Sequence, residues 1–178
     1  MGTGPICNVS SSFCLTNTIC AVWSYCVLLP YRCLVSSRAL RTSPQPLHDR
    51  RLRILIADDH PVIRKTVRQI LDSHPRFEVC GEAHDGAEAI DEAQRLKPDV
   101  VVLNITMPIL DGLAAAREIT AKLPESAIVI LSSHADKQFI EQAKKSGARA
   151  YVAKSMAGEA LVRAIEAAVI EGNFVLVD

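Results

Sequence analysis

From residue 52 onward the chain alternates between short apolar runs and longer stretches in which apolar residues recur every third or fourth position. The runs are Leu52–Ala57, Val100–Leu103, Ala127–Leu131 and Ala150–Ala153, with a weaker one at Phe77–Ala83. Nearly continuous apolar runs separated by helical patterns predict parallel strands buried on both faces. Ile63, Val67, Ile70 and Leu71 fall at i, i+4, i+7 and i+8 behind Pro61, which suits a first helical turn. Leu161, Ala164, Ile165 and Ala168 repeat at i, i+3, i+4 and i+7. Residues 86–96, 112–122 and 136–146 predict three shorter helices, the last with Gly147 as its C-cap. Five strands and five helices in strict alternation predict a doubly wound α/β domain over residues 51–178.

Residues 1–50 follow no such pattern. Residues 1–31 contain no Asp, Glu, Lys or Arg, and residues 32–53 hold six arginines (Arg32, Arg38, Arg41, Arg50, Arg51, Arg53) against Asp49. Residues 54–178 are left with 14 basic and 19 acidic side chains, a net of −5. That acidity argues against non-specific nucleic-acid binding by the globular part. Cys7, Cys14, Cys20, Cys26 and Cys33 are six or seven apart, and only Cys80 lies in the regular part. This is not a CxxC metal spacing and the five are odd in number, so they read as free thiols in a reducing cytoplasm. Phe13–Leu29 is an uncharged stretch of 17 residues, just long enough for a signal anchor. Arg32, Arg38 and Arg41 behind it would place the rest of the chain inside. Thr16, Asn17, Thr18 and Ser24 dilute it, and Pro30 ends it. The segment is therefore read as a disordered or non-native extension, joined through a Ser/Pro/Arg-rich linker at 36–50.

In a doubly wound sheet, ligands bind at the carboxyl ends of the strands where strand order reverses. The predicted strands deliver Asp58 and Asp59, Asn104, Ser132 and Lys154 to that edge. Adjacent carboxylates suit a hard cation such as Mg²⁺, and a hydroxyl with an ammonium suits phosphoryl oxygens. Asp58 and Asp59 could instead share in capping the helix that starts at Pro61. His60, His84 and His134 are too scattered for a metal site and read as exposed loop residues.

The order and spacing of this set resemble the receiver domains of two-component response regulators. The pieces that carry the resemblance are Ile54-Leu55-Ile56-Ala57-Asp58-Asp59-His60-Pro61, Asp99 through Pro108, Asp111-Gly112, Leu131-Ser132-Ser133 and Gly147 through Lys154. They look most like the class with a LuxR-type helix-turn-helix output. The resemblance implies a flavodoxin-like five-stranded sheet of order 2-1-3-4-5. It also implies Mg²⁺ on Asp58, Asp59 and the carbonyl of Thr106, phosphoryl contacts from Ser132 and Lys154, and an aromatic switch at Tyr151. The phosphoacceptor position falls on Asn104. A carboxylate is a nucleophile and an amide, with its nitrogen lone pair delocalised, is not. Asn104 is thus expected to accept no phosphoryl group, and the Mg²⁺ site to be weakened, with the amide oxygen as a poor ligand.

The function expected is a phosphorylation-independent pseudo-receiver, not an enzyme. It would contact a histidine kinase or other signalling protein through the face formed by the fourth helix, fifth strand and fifth helix, and a homodimer is allowed. Only Gly172–Asp178 follow the last helical pattern, so direct nucleic-acid binding is not expected. The alternative is a phosphorylation-dependent regulator whose DNA-binding domain is missing from this chain. An enzyme on the same fold would want a phosphate-cradling loop or an Asp-x-Asp after the first strand, and Asp58-Asp59-His60-Pro61 is neither. The abrupt change of pattern at Arg51 yields a first prediction: deleting residues 1–48 leaves a soluble domain with an unchanged thermal melting transition.

Overall fold

A computed structural model of the chain describes residues 50–134, 136–170 and 174–177. The cysteine-rich segment, the Phe13–Leu29 stretch and all of the linker but Arg50 lie outside the described residues. The strands are β1 (Leu52–Ala57), β2 (Phe77–Ala83), β3 (Val100–Leu103), β4 (Ala127–Ser132), β5 (Ala150–Ala153) and β6 (Val175–Val177). The helices are α1 (Pro61–Asp72), α2 (Gly86–Leu96), α3 (Gly112–Lys122), α4 (Lys137–Lys145) and α5 (Ala157–Ile170). All strand pairs are parallel, in the order β2-β1-β3-β4-β5-β6. The α/β architecture read from the pattern is present, but the sheet has six strands, not five. Val175-Leu176-Val177 is a three-residue run that no periodicity marks as a strand. It forms one because the outer edge of β5 offers unpaired backbone groups, with Tyr151 opposite Leu176.

The apolar strands place alternate residues in two cores. Leu55, Val101, Leu103, Ile128, Ile130 and Tyr151 pack on one face against α2, α3 and α4. Ile54, Ile56, Val100, Val102, Val129, Leu131 and Val152 pack on the other with residues of α1 and α5. This period of two with both sides apolar is why the strands read as continuous runs. Among the described residues, no helix is long and apolar enough to cross a membrane.

Three glycines set how the helices meet the strand ends. A Cβ on Gly86 would stand 2.3 Å from the carbonyl oxygen of Leu110, and one on Gly112 only 1.9 Å from that of Asn104. Helices α2 and α3 therefore start hard against the loop that follows β3. Gly147 has φ +88° and sits one residue beyond the α4 cap, which Ser146 occupies. Helix α1 starts at Pro61 with His60 as its N-cap and no side-chain cap bond, so neither Asp58 nor Asp59 caps its first turn.

The Gly112 contact yields a second prediction. Gly112→Ala pushes the β3–α3 loop off Asn104 and lowers stability in urea unfolding by about 1–3 kcal/mol. Gly158→Ala, where an added Cβ meets nothing within 4 Å, does not lower it.

Candidate functional site

Strand order reverses between β1 and β3, and the site lies at their carboxyl ends. β1 exits the core with Asp58 buried and Asp59 partly exposed. Two carboxylates so close need compensation, and each receives a different kind. Asp58 Oδ2 is 2.6 Å from Lys154 Nζ, in the short 3₁₀ turn (Lys154–Met156) after β5, and both side chains are largely buried. Its Oδ1 accepts from the backbone N–H of His60 at 2.9 Å, while Arg64 of α1 donates to the Asp58 carbonyl at 2.6 Å. Arg64 and Arg68 also pair with Glu82 of β2. Burial raises the Glu82 pKa, but the bonds and charges of Arg68 and Arg64 outweigh it and hold the carboxyl below its usual range.

Asp59 is compensated by Asn104, by His60 and by its own backbone N–H. Asn104 Nδ2 donates to Asp59 Oδ1 at 3.0 Å and to the carbonyl of Thr106 at 2.7 Å. His60 Nδ1 lies 2.9 Å from the same Asp59 oxygen and 3.4 Å from Asp58 Oδ1. Burial pushes the Asp59 pKa up. Hydrogen bonds from its own backbone N–H, from His60 and from Asn104, with the His60 charge, override this and hold it below its ordinary 3.8.

Ser132 and Tyr151 meet at one loop residue. The Ser132 hydroxyl oxygen accepts from the His134 backbone N–H at 3.1 Å, and the Tyr151 hydroxyl donates to the His134 carbonyl at 2.5 Å. Burial raises the Tyr151 pKa, partly offset by the neighbouring Ser132 hydroxyl and with help from the Asp136 charge. The His134 ring stacks on Phe139 of α4 with centroids 4.4 Å apart. A small cavity of about 110 Å³ opens among these groups, lined by His60, Asn104, Thr106, Ser132, Ser133, His134 and Lys154.

The structure thus brings Asp58, Asp59, Asn104, Thr106, Ser132 and Lys154 to one strand edge, with Tyr151 reaching it from beneath through His134. Sequence reasoning missed His60, His134 and Arg64. His60 and His134 are exposed, yet His60 joins Asp58 and Asp59 in a group whose potential ligand atoms lie within 4.8 Å of one another. Position was the available signal, since His60 directly follows the acid pair and His134 lies two residues after Ser132. The Asn104 amide presents its nitrogen, not its oxygen, to the Asp59 carboxylate and the Thr106 carbonyl. Both are acceptors only, so the donor end of the amide must face them.

The oxygen donors of Asp58, Asp59 and Thr106 fit a hard divalent cation in kind. In geometry the fit requires the Asn104 nitrogen to turn away from two of them. The amide of Asn104 is a poor nucleophile because its nitrogen lone pair is delocalised, and that nitrogen is engaged twice as a donor.

A family model described as the response regulator receiver domain matches residues 54–166. The transcriptional regulatory protein DegU of Brevibacillus brevis is 30% identical over 131 residues, covering 74% of this chain and 56% of that protein. A protein-glutamate methylesterase/protein-glutamine glutaminase of Pyrococcus abyssi is 47% identical over 85 residues, 48% of this chain and 23% of that one. Among solved structures, a LuxR-family two-component response regulator from Aurantimonas sp. SI85-9A1 superposes with TM-score 0.67 at 34% identity, over 70% of this chain and 89% of that one. The chain spans about half the length of the DegU relative and less than a quarter of the methylesterase.

The Asp58–Lys154 pair carries the prediction here. In a double-mutant cycle of Asp58→Asn and Lys154→Met followed by urea unfolding, the two changes are non-additive. The coupling favours the native pair by about 1–3 kcal/mol, because either single change leaves a buried group without its partner.

Proposed function

The chain belongs to the response-regulator receiver family of two-component signalling, and on that premise we propose that it is a phosphorylation-independent pseudo-receiver. It acts by protein contact in the cytoplasm, on a histidine kinase or another signalling protein, and carries out no chemistry of its own. The observation that carries the reading is Asn104, which stands where receivers place the phosphoacceptor and has its amide nitrogen bonded to Asp59 and Thr106. Ser132, Lys154 and Tyr151 support it. Lys154 is engaged by Asp58, and the two switch positions both hold His134, so the pocket is organised by the protein's own bonds.

Asp58, Asp59 and the Thr106 carbonyl would hold Mg²⁺ more weakly than a three-carboxylate receiver does. Such an ion would supply positive charge for phosphoryl oxygens. β6 pairs along β5, so the face proposed for a partner comprises α4, β5, α5 and the added edge strand β6, where Leu176 is exposed. A homodimer through that edge fits the same geometry. Residues 54–178 carry 14 basic and 19 acidic side chains, a balance that argues against non-specific nucleic-acid binding by that part.

A second reading is favoured by one observation. The chain spans 56% of a relative named as a transcriptional regulatory protein, so this receiver could belong to a longer regulator whose output domain lies elsewhere.

Asn104→Asp restores the nucleophile with almost no change in shape. In Mg²⁺ and acetyl phosphate, its carboxylate oxygen bonds to phosphorus as acetate leaves, and intact-mass spectrometry shows one added phosphoryl group. The chain with Asn104 shows none under the same conditions. A phosphoryl group on the unaltered chain, for instance on Ser132, removes the phosphorylation-independent reading.

A further inference from the structure

We propose that the Asn104 amide is a built-in substitute for the divalent cation, bridging by two N–H bonds the oxygens that a metal would otherwise join. The inference rests on the receiver reading of the site and specifies how this chain alters it. One nitrogen carries two hydrogens, and it lies 3.0 Å from Asp59 Oδ1 and 2.7 Å from the Thr106 carbonyl. Neither acceptor can donate. Asn104 itself is 4% exposed, while its partners Asp59 and Thr106 reach the surface. The bridge ties the β1–α1 loop to the β3–α3 loop across the reversal of strand order.

The bridge is specific to an amide. Rotating it by half a turn sets its oxygen against a carboxylate and a carbonyl, three acceptors with no donor among them. That arrangement is stable only with a cation between them. Metal entry therefore requires two part-buried hydrogen bonds to break and the amide to turn. The backbone at Asn104 cannot yield instead, because Gly112 packs directly against its carbonyl. The bridge and the cation are thus mutually exclusive occupants of one position. The loops are held together without a metal, and the side chain at position 104 opposes the metal instead of binding it.

The distinguishing comparison is Asn104→Ala. Calorimetric titration of the full-length chain with Mg²⁺ measures the native protein, Asn104→Ala and Asn104→Asp. With the amide as an opposing bridge, Asn104→Ala binds Mg²⁺ about tenfold more tightly than the native chain, the equivalent of one or two net hydrogen bonds released from competition. Asn104→Asp binds more tightly still. If Asn104→Ala binds more weakly than the native chain, the amide oxygen is a ligand and the bridge is overturned, while the receiver reading stands. If Asn104→Asp gains no affinity over the native chain, the cluster is not a receiver metal site and both fall. A second measurement needs no variant to be stable beyond identifying the signal. The chain has four asparagines, Asn8, Asn17, Asn104 and Asn173. In ¹⁵N-labelled protein the side-chain NH₂ pair lost in Asn104→Asp exchanges with solvent at least about tenfold more slowly than an exposed amide, with or without a chelator. Exchange as fast as that of an exposed asparagine overturns the bridge.

Discussion

Asp58 and Asp59 stand side by side where β1 leaves the core, and the rest of the site is arranged around their charge. Each carboxylate needs donors, and the fold recruits them from separate strands and a helix. β5 ends in Lys154 for Asp58, β3 ends in Asn104 for Asp59, and the start of α1 presents the His60 backbone and ring to both. Because these donors are far apart in sequence, the acid pair can be satisfied only when β1, β3 and β5 are in register. The parallel pairing of Ala57 with Leu103 and of Ser132 with Ala153 provides that register. A buried carboxylate without its partner would destabilise the fold, so the polar edge checks the apolar sheet that carries it.

The loop after β3 is the least yielding part of this edge. Gly112 starts α3 within a Cβ's reach of the Asn104 carbonyl, its N–H bonds to Ile105, and Gly86 closes on Leu110 from α2. Ile109 of the same loop has φ +64°, a left-handed conformation uncommon for a β-branched residue, and its side chain is exposed. A backbone constrained this closely leaves side-chain rotation as the only freedom at position 104. The identity of that side chain, rather than any adjustment of the loop, then decides between cation and hydrogen bond.

How much of this was legible in the sequence follows from the physics of each part. Strands β1, β3, β4 and β5 were plain because burial on both faces removes polar residues from Val100–Leu103 and Ala127–Leu131 altogether. The residues at the strand ends could be ranked as a set because a doubly wound sheet dictates where strand ends converge. β6 was not legible, since Val175–Val177 is held by the free edge of β5 and not by a pattern of its own. The orientation of the Asn104 amide was also hidden. It depends on the Thr106 carbonyl, a backbone group that every residue type carries. His60 and His134 escaped because an exposed histidine is ordinary by itself, and only the neighbouring carboxylates and the Tyr151 hydroxyl give each one a role.

Strand β5 connects the polar edge to the outer surface. Tyr151 pairs with Ile130 of β4 on one side and Leu176 of β6 on the other, and its hydroxyl reaches the His134 carbonyl at the site. Phe174, just before β6, packs on the same core as Tyr151, with Lys144 of α4 5.9 Å from the centre of its ring. The outermost strand and the loop beside the pocket therefore share one buried side chain. Receivers that cycle through phosphorylation must move residues at the switch positions. Here Ser132 and Tyr151 each hold one backbone group of His134, so displacing that loop breaks both bonds together. On the phosphorylation-independent reading proposed above, the force to do so would come from a partner docking outside, on α4, β6 and α5. Tyr151 thus places one buried side chain between the outer strand and the loop beside the pocket, the route by which such a contact would reach it.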